Sequence, residues 1–337
     1  MSARRGERTL AAVGGLAAIA ALLLTLLGPR EALTGWLGAA ATLEGFPTGA
    51  LILLLTMRLV AGRWTDDLRG PARLLGTLWP LAALAFVPVI VGMAAIYPWF
   101  GAPPHSPFAG VWLNPVFFVA RTVGWFVLAW WVAARAAGEI SEGFAAGMLI
   151  ALTLWANFVN SDWLMTLDPA FASSAFGSQV IAFGATEALA AMILLRLMAG
   201  TPRHAGVVGA MLITLLLMWA YFQFMPFLII WSGNIPDSVH WYADRATPVW
   251  QGMIALASVL GGVPLLALFA PQVRNSPRWL GRCAVAVLAG RALEFGWLVL
   301  PGLGWLTALA WVVALVGLGC LAVAVLLRAA RRAEARL

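Results

Sequence analysis

Five charged side chains lie within stretches of sequence that are otherwise long and apolar. They are Glu44, Arg121, Glu187, Arg291 and Glu294. A charge in the hydrocarbon of a membrane costs about 2.5–3.5 kcal/mol on insertion scales, so it usually has a partner or a function there. A buried carboxylate can bind and release a proton, and an arginine can neutralise it. These residues therefore distinguish a passive anchor from a protein that handles protons, ions or a polar ligand within the bilayer.

The surrounding sequence predicts the helices that position these charges. The chain is 62% hydrophobic and 10% charged, and an apolar stretch of about 18 or more residues is typical of a transmembrane helix. Ten spans are predicted, at 10–27, 35–60, 74–99, 114–136, 141–161, 177–199, 205–232, 247–269, 281–300 and 302–327. We therefore expect an all-α polytopic membrane protein in which residues 1–337 form one integral membrane domain. Residues 1–9 and 328–337 are short basic tails of this domain.

The basic residues are unevenly distributed between the two sides of the predicted membrane domain. All 21 are arginine. Those in the tails or at even-numbered connections are Arg4, Arg5, Arg8, Arg58, Arg63, Arg69, Arg73, Arg135, Arg196, Arg203, Arg274, Arg278, Arg282, Arg328, Arg331, Arg332 and Arg336. The opposite side has only Arg30 and Arg245. The positive-inside rule then predicts that both termini are cytoplasmic, and it explains the net charge of +7 without a nucleic-acid partner.

Depth along the predicted helices brings the five buried charges to one level. Each lies about 10–15 Å below the outer surface, within the outer half of a hydrocarbon core about 30 Å thick. Arg291 and Glu294 are spaced to pair on one helix face, and Arg121 can neutralise one more glutamate. Three acids against two bases leave one glutamate that must hold or exchange a proton. Glu44 and Glu187 are the candidates, and Glu187 is favoured because it is predicted to lie deepest.

The cysteines and histidines give no support for a redox centre or a metal site in this chain. Cys283 and Cys320 form no CxxC motif or cluster, so neither an iron–sulfur centre nor a structural zinc is indicated. His105, His204 and His240 all lie in predicted connections, whereas a membrane-embedded haem needs axial ligands at depth. No glycine-rich phosphate loop or serine–histidine arrangement is found. We therefore expect no cofactor and no metal bound by this chain.

Two predicted outer connections carry the most distinctive local sequence. The run Trp163-Leu-Met-Thr-Leu-Asp-Pro-x-Phe-x-Ser-Ser-x-Phe-Gly177 resembles a motif of the ActF-type membrane subunit of alternative complex III, with Thr166, Phe171 and Ser174 replacing its serine, tryptophan and threonine. A second run is similar to another segment of that subunit. It matches at Phe227, Leu228, Ile229, Ile230, Trp231, Asn234, Pro236, Trp241, Tyr242 and Arg245. The segment 291–301 resembles a late helix of the same family more weakly.

The resemblance implies a fold similar to the NrfD/PsrC-like membrane subunits. In that fold two four-helix bundles, here spans 2–5 and 6–9, are flanked by spans 1 and 10. Spans 2 and 6 run in the same direction, and each carries a glutamate (Glu44 and Glu187), which agrees with a parallel repeat.

For function, the resemblance implies a subunit of a respiratory quinol:electron-acceptor oxidoreductase in the bacterial inner membrane. A paralogous membrane subunit oxidises quinol or menaquinol, and a multi-haem cytochrome c and an iron–sulfur protein carry the electrons. This subunit itself holds no cofactor and conducts protons. The five buried charges then line a proton path or a quinone-like pocket that opens to the periplasm.

The outer connections 157–177 and 232–246 are predicted to dock the partner subunits. The residues assigned to this periplasmic motif are Asp162, Trp163, Asp168, Asn234, Pro236, Trp241, Tyr242 and Arg245.

Two other classes of function remain alternatives. Buried ionisable residues and proline-interrupted helices also mark proton-coupled secondary transporters. The charges can also serve only to lock helices together in a structural or assembly subunit.

Overall fold

Apolar segments in a membrane must satisfy their backbone hydrogen bonds internally, and this chain does so with helices. The computed structural model describes residues 2–102, 106–233 and 236–334, and within them it contains α-helices and short 3₁₀ turns but no strand. The helices are α1 Ser2–Leu23, α2 Pro29–Leu59, α3 Arg63–Leu75, α4 Trp79–Val91, α5 Met93–Ile96, α6 Pro107–Trp112, α7 Pro115–Ala136, α8 Glu142–Leu164, α9 Phe176–Met198, α10 Ala205–Gly233, α11 Pro236–Ala243, α12 Pro248–Leu268, α13 Pro271–Arg274, α14 Pro277–Val299 and α15 Trp305–Glu334. The all-α prediction is confirmed.

Nine helical segments of the described chain are long and apolar enough to cross a membrane, against the ten predicted. The missing one is the predicted span 281–300, which forms the 23-residue helix α14. This helix is long enough to cross, but Arg282, Arg291 and Glu294 are spread along it, whereas each of the other nine segments contains an 18-residue stretch with at most two charged residues. The third span also begins earlier than predicted, since α3 and α4 are joined by a 3₁₀ turn into one segment, Arg63–Val91.

The long helices form two bundles of four, as the predicted architecture requires. In the first bundle, α2 packs against α4, α4 against α7, α7 against α8, and α8 back against α2. In the second, α9, α10, α12 and α14 close a similar ring. Helix α1 packs on α15, and α15 packs on α2. The first and last helices therefore lie together beside the first bundle.

The two bundles meet where α2 crosses α9, and small residues bring these two backbones close together. A Cβ atom at Gly45 would lie 3.1 Å from Gly184 Cα, and one at Gly49 would collide with the Gly184 carbonyl oxygen. Helices in membranes associate closely through small residues of this kind, because lipid supplies no hydrophobic drive between them. The crossing fixes the distance between the central helices of the two bundles.

The two ends of the helices form faces of different composition. Glu7 near the start of α1 pairs with Arg328 (3.7 Å) and Arg331 near the end of α15, so the start of α1 and the end of α15 lie on one face. On this arginine-rich face, the Asp67 carboxylate of α3 accepts hydrogen bonds from Arg196 Nε and from two backbone N–H groups after α9. The opposite, arginine-poor face is formed by residues 96–102, 164–175, 236–247 and 299–304.

Gly49→Ala is expected to destabilise the protein, because the new methyl group would meet the Gly184 carbonyl oxygen and lie 2.7 Å from Ala188 Cβ. Overpacking of this kind costs about 1–3 kcal/mol. Gly262→Ala on α12 is the matched control, since nothing lies within 4 Å of its added Cβ and alanine favours helix by about 1 kcal/mol. Thermal unfolding of both purified variants measures the difference. A Gly49→Ala protein as stable as Gly262→Ala would show that the crossing is not tightly packed.

Candidate functional site

Four of the five predicted charges come together at the crossing of the bundles. Glu44 of α2, Glu187 of α9, and Arg291 and Glu294 of α14 have side chains that are 3%, 1%, 0% and 1% exposed. Glu187 Oε1 lies against Gly45, the residue after Glu44, and the Arg291 guanidinium lies 5.5 Å from the centroid of the Phe183 ring, one turn before Glu187 on α9. We call these four residues the glutamate cluster.

Glu44 lies at the centre of its helix, contrary to the shallower position predicted. It is the middle residue of the 31-residue α2, and Glu187 is the middle residue of the 23-residue α9. The second predicted span begins at residue 35, whereas α2 begins at Pro29. Glu44 and Glu187 therefore both lie at the middle of their helices. Depth along the helix gives no reason to favour Glu187 over Glu44 as the carboxylate that titrates.

Glu44 is held in place by two hydrogen-bond donors from the first bundle. The Thr48 hydroxyl, one turn further along α2, donates to Glu44 Oε1. Trp125 Nε1 of α7 donates to the same oxygen at 2.9 Å. Trp125 is itself fully buried, so the carboxylate is oriented from two helices of the bundle.

Arg291 and Glu294 form a buried ion pair on α14. Arg291 Nη2 donates to Glu294 Oε1 at 2.9 Å, and Arg291 Nε lies 2.9 Å from Glu294 Oε2 but is too poorly aligned for a hydrogen bond. Trp219 Nε1 of α10 donates to Glu294 Oε1 at 2.8 Å. The guanidinium also lies 4.1 Å from the centroid of the Trp219 ring, an arrangement that stabilises a cation.

Glu187 has the weakest support of the three carboxylates. Its Oε1 is buried and has no hydrogen-bond partner among the described residues. The polar neighbours on its own helix are engaged elsewhere, since Thr186 donates to the Ala182 carbonyl and Gln179 donates to Gln223. The carboxylate instead lies against Gly45, where a Cβ atom would collide with Oε1. The absence of a side chain at Gly45 makes room for a carboxylate between the bundles.

Arg121 is not part of the glutamate cluster, and its predicted pairing with a glutamate is wrong. Its Nε donates to Asp162 Oδ2 at 2.7 Å, and Trp112 Nε1 donates to Asp162 Oδ1 at 2.8 Å. The reason is that α8 continues to Leu164, past the predicted end at 161, and carries Asp162 into the first bundle beside α7. The cluster therefore contains three carboxylates but a single guanidinium.

Four residues of the predicted periplasmic motif are buried, and their role in docking partner subunits stays a prediction. They are Asp162, Trp163, Trp241 and Arg245. Asp168 and Tyr242 are partly buried. Asn234 lies outside the described residues, and of Pro236 only the backbone is described, as the first residue of α11.

The two distinctive connections pack against each other. Phe171 of the first connection stacks on Trp241 of α11, with ring centroids 4.5 Å apart. Arg245 lies 3.6 Å above the same indole and donates to the carbonyl oxygens of Trp241 and Leu298. Burial lowers the pKa of Arg245 to about 10 and raises the pKa of Tyr242 to about 12, because removal of water disfavours the charged form of each group.

A polar cavity of about 500 Å³ opens on the arginine-poor face above the glutamate cluster. Its lining includes Arg30, Thr34, Asp168, His240, Asp244, Arg245 and Val299. Arg30 and Arg245, the two arginines that the sequence places on this side, therefore share one cavity. Thr34 lies ten residues before Glu44 on α2, and Val299 lies five residues after Glu294 on α14. The cavity and the cluster are thus joined by these two helices.

Buried polar atoms without partners lie between the cavity and the cluster. Thr307 Oγ1 and Trp311 Nε1 of α15 have no hydrogen-bond partner among the described residues. Trp311 lies against Gly38 of α2 and Gly296 of α14, within the interval that separates the cavity from the cluster. Buried polar groups in native proteins are almost always hydrogen-bonded, often to internal water. Thr307 Oγ1 and Trp311 Nε1 are therefore buried hydrogen-bonding atoms on the side of the cluster that faces the cavity.

Sequence reasoning missed the residues that surround the cluster. Thr48, Trp125 and Trp219 are single polar or aromatic residues in apolar helices, and nothing in their local sequence sets them apart. Asp162 could have been found by extending the fifth span through the apolar Trp163-Leu164. Among the described residues, no group of three histidine, cysteine, aspartate or glutamate side chains is placed to hold a metal ion.

No family model matches the chain, and no curated protein matches it either.

Arg121→Met is expected to lower the free energy of unfolding by about 3–5 kcal/mol, because it leaves Asp162 charged and buried without its cation. The double variant Arg121→Met/Asp162→Leu removes both charges and is expected to recover most of this loss. Arg135→Met, at an exposed position of the same helix, is the control and should change stability by less than about 0.5 kcal/mol. Thermal unfolding in detergent measures all three. An Arg121→Met variant as stable as the control would contradict the assigned pair.

Proposed function

We propose that this chain is the integral, proton-handling subunit of a respiratory quinol-oxidising complex. The observation that carries the proposal is the glutamate cluster, in which Glu187 is buried at the joint of the bundles without a hydrogen-bond partner for Oε1. The family resemblance supplies the setting, the bacterial inner membrane. The uneven distribution of arginine supports cytoplasmic termini.

Charge balance supports a proton-binding role for the cluster. Three carboxylates share one guanidinium, so full ionisation would leave unpaired negative charge in the interior. Such a charge is costly in a membrane protein, and proton binding removes it. Glu294 has Arg291 and Trp219, and Glu44 has Thr48 and Trp125. Glu187 lacks comparable support and is therefore the carboxylate that exchanges the proton.

The polar cavity supports a route between the cluster and the arginine-poor face. Thr307 and Trp311 provide buried hydrogen-bonding atoms along the interval between Val299 and Glu294. Water bound to these atoms would form a chain along which protons can pass. On the arginine-rich side of the cluster, α2 and α9 carry apolar residues such as Leu53, Leu55, Leu189 and Ile193, all buried. The proposed route therefore opens on one face only.

The helices themselves favour a subunit over a secondary transporter. Transporter sites are typically formed by discontinuous helices whose broken ends bind the substrate. Here the three helices that carry the glutamate cluster, α2, α9 and α14, are continuous, and Pro47 lies inside α2 without interrupting it. In the proposed complex, electrons pass through the haem c and iron–sulfur centres of partner subunits, and a paralogous membrane subunit oxidises the quinol. The partners would dock on exposed parts of the arginine-poor face such as Pro169 and Asp244.

Purification from native membranes in a mild detergent tests the assignment to a complex. We expect the tagged chain to bring down an assembly with the visible absorption of haem c, because the proposed partners include a multi-haem cytochrome. The same preparation after a harsh detergent wash is the control and should lose the absorption with the partners. A colourless, solitary protein from native membranes would contradict the proposal.

Glu187→Gln is expected to leave assembly normal and to abolish proton release, because glutamine keeps the shape of the side chain but cannot titrate. Glu294→Gln should mainly lower the yield of complex, since it leaves Arg291 buried without its counter-ion. Glu142→Gln, at an exposed position of the arginine-rich face, is the control for both. Complex yield and proton release in reconstituted vesicles are the measurements. Wild-type proton release by Glu187→Gln would remove Glu187 from the route.

A further inference from the structure

A cavity on the arginine-rich face brings three arginines together from two helices. Its volume is about 470 Å³. Arg58 comes from the last turn of α2, and Arg69 and Arg73 lie one turn apart on α3. Residues 138–141, which connect α7 to α8, also contribute to its lining. We call it the basic cavity.

The protein does not neutralise the arginines of the basic cavity. Glu139 is the one acidic residue in the lining, and no carboxylate of the described residues lies within 4 Å of any of the three guanidinium groups. Arg58 Nε donates to the Ile140 carbonyl oxygen at 2.7 Å, which holds this guanidinium at the cavity. Three positive charges against one negative charge create a positive potential that attracts anions.

An apolar groove of about 240 Å³ adjoins the basic cavity, and Leu54 and Arg73 line both. Leu51 of the groove lies seven residues before Arg58 on α2, so the groove extends about 10 Å from the arginines toward the middle of that helix. The Trp130 side chain of α7, which is 58% exposed, also lines it. Half of the lining consists of small residues: Ala72, Gly76, Ala133, Ala134 and Ala137.

The adjoining cavity and groove have the two chemistries of a phospholipid in the order that a membrane requires. Guanidinium groups bind phosphate oxygens through paired N–H donors, and they lie at the end of the helices. The groove lies deeper along the same helices, and its small residues leave room for an acyl chain. Basic pockets between membrane helices bind anionic lipid headgroups in this way. A free phosphate ion would use the arginines and leave the groove unfilled.

We propose that the basic cavity and the apolar groove together bind one anionic phospholipid. Its phosphate contacts Arg58, Arg69 and Arg73, and one acyl chain lies in the groove beside Trp130. The positive excess of the cavity disfavours a headgroup that carries a cation of its own, such as choline. The lipid would link α2 and α3 to α7 at the arginine-rich end of the first bundle.

Titration of the purified, delipidated chain in detergent with dioleoyl phosphatidylglycerol tests the proposal, with native mass spectrometry to count bound lipid. The wild type should bind one lipid saturably. Arg69→Gln/Arg73→Gln should weaken binding at least about tenfold, because charge-assisted hydrogen bonds to the phosphate are lost. Arg278→Gln/Arg282→Gln is the matched control. It also removes two exposed arginines one turn apart on the arginine-rich face, but these line neither the cavity nor the groove, so binding should be unchanged.

The groove is tested separately by Ala134→Phe, which places a ring where the acyl chain would lie and should also weaken binding about tenfold or more. Ala134 is exposed, so the larger side chain should not disturb the fold, and melting curves check this. Val127→Phe, at a 59% exposed position of the same helix outside the groove, is the control and should bind as the wild type does.

Two competitors distinguish an anionic lipid from other sources of phosphate. Inorganic phosphate at the same concentration should not displace phosphatidylglycerol, because it makes no contact with the groove, and phosphatidylcholine should compete weakly. Equal competition by inorganic phosphate would assign the cavity to a free anion, and equal competition by phosphatidylcholine would overturn the choice of an anionic headgroup. Wild-type affinity in both Arg69→Gln/Arg73→Gln and Ala134→Phe, or unsaturable binding by the wild type, would overturn the site.

Discussion

The structure depends on the burial of three carboxylates with a single guanidinium at the place where two helical bundles meet. Burial of these carboxylates is unfavourable unless they are hydrogen-bonded, and neighbouring side chains supply hydrogen bonds to two of the three. Trp125 and Thr48 hydrogen-bond to Glu44, while Trp219 and Arg291 hydrogen-bond to Glu294. The two tryptophans come from α7 and α10, so the hydrogen bonds that satisfy the carboxylates also join helices within each bundle.

A second buried ion pair, Arg121–Asp162, contains equal numbers of acidic and basic groups, unlike the glutamate cluster. Arg121 and Asp162 are matched one to one, and Trp112 contributes both its indole N–H and its carbonyl oxygen to the pair. Arg121 also lies over the Trp112 ring at 4.2 Å. The pair joins α7 to α8. This one-to-one pairing distinguishes the Arg121–Asp162 pair from the glutamate cluster, where we propose that a proton is exchanged.

Much of the fold was accessible from the sequence, because hydropathy and the arginine distribution act along the chain and do not require knowledge of packing. The cluster was predicted in part, since a charge in an apolar segment is conspicuous wherever it packs. Its partners were not, because Trp125 and Trp219 become hydrogen-bond donors to carboxylates only through contacts between helices. The fifth predicted span ended at residue 161, three residues before the end of α8, so Asp162 was placed in a connection. Arg121 was for that reason assigned the wrong partner.

The contact between Glu187 and Gly45 has a mechanical consequence. The carboxylate occupies the space that a side chain at Gly45 would fill, one turn from Gly49 and opposite Gly184. Changes in the charge or hydration of this carboxylate would therefore press directly on the tightest contact between the bundles. The spacing of the two bundles and the charge of the Glu187 carboxylate are therefore coupled. A protein or ligand that shifts one bundle relative to the other would also change the surroundings of this carboxylate.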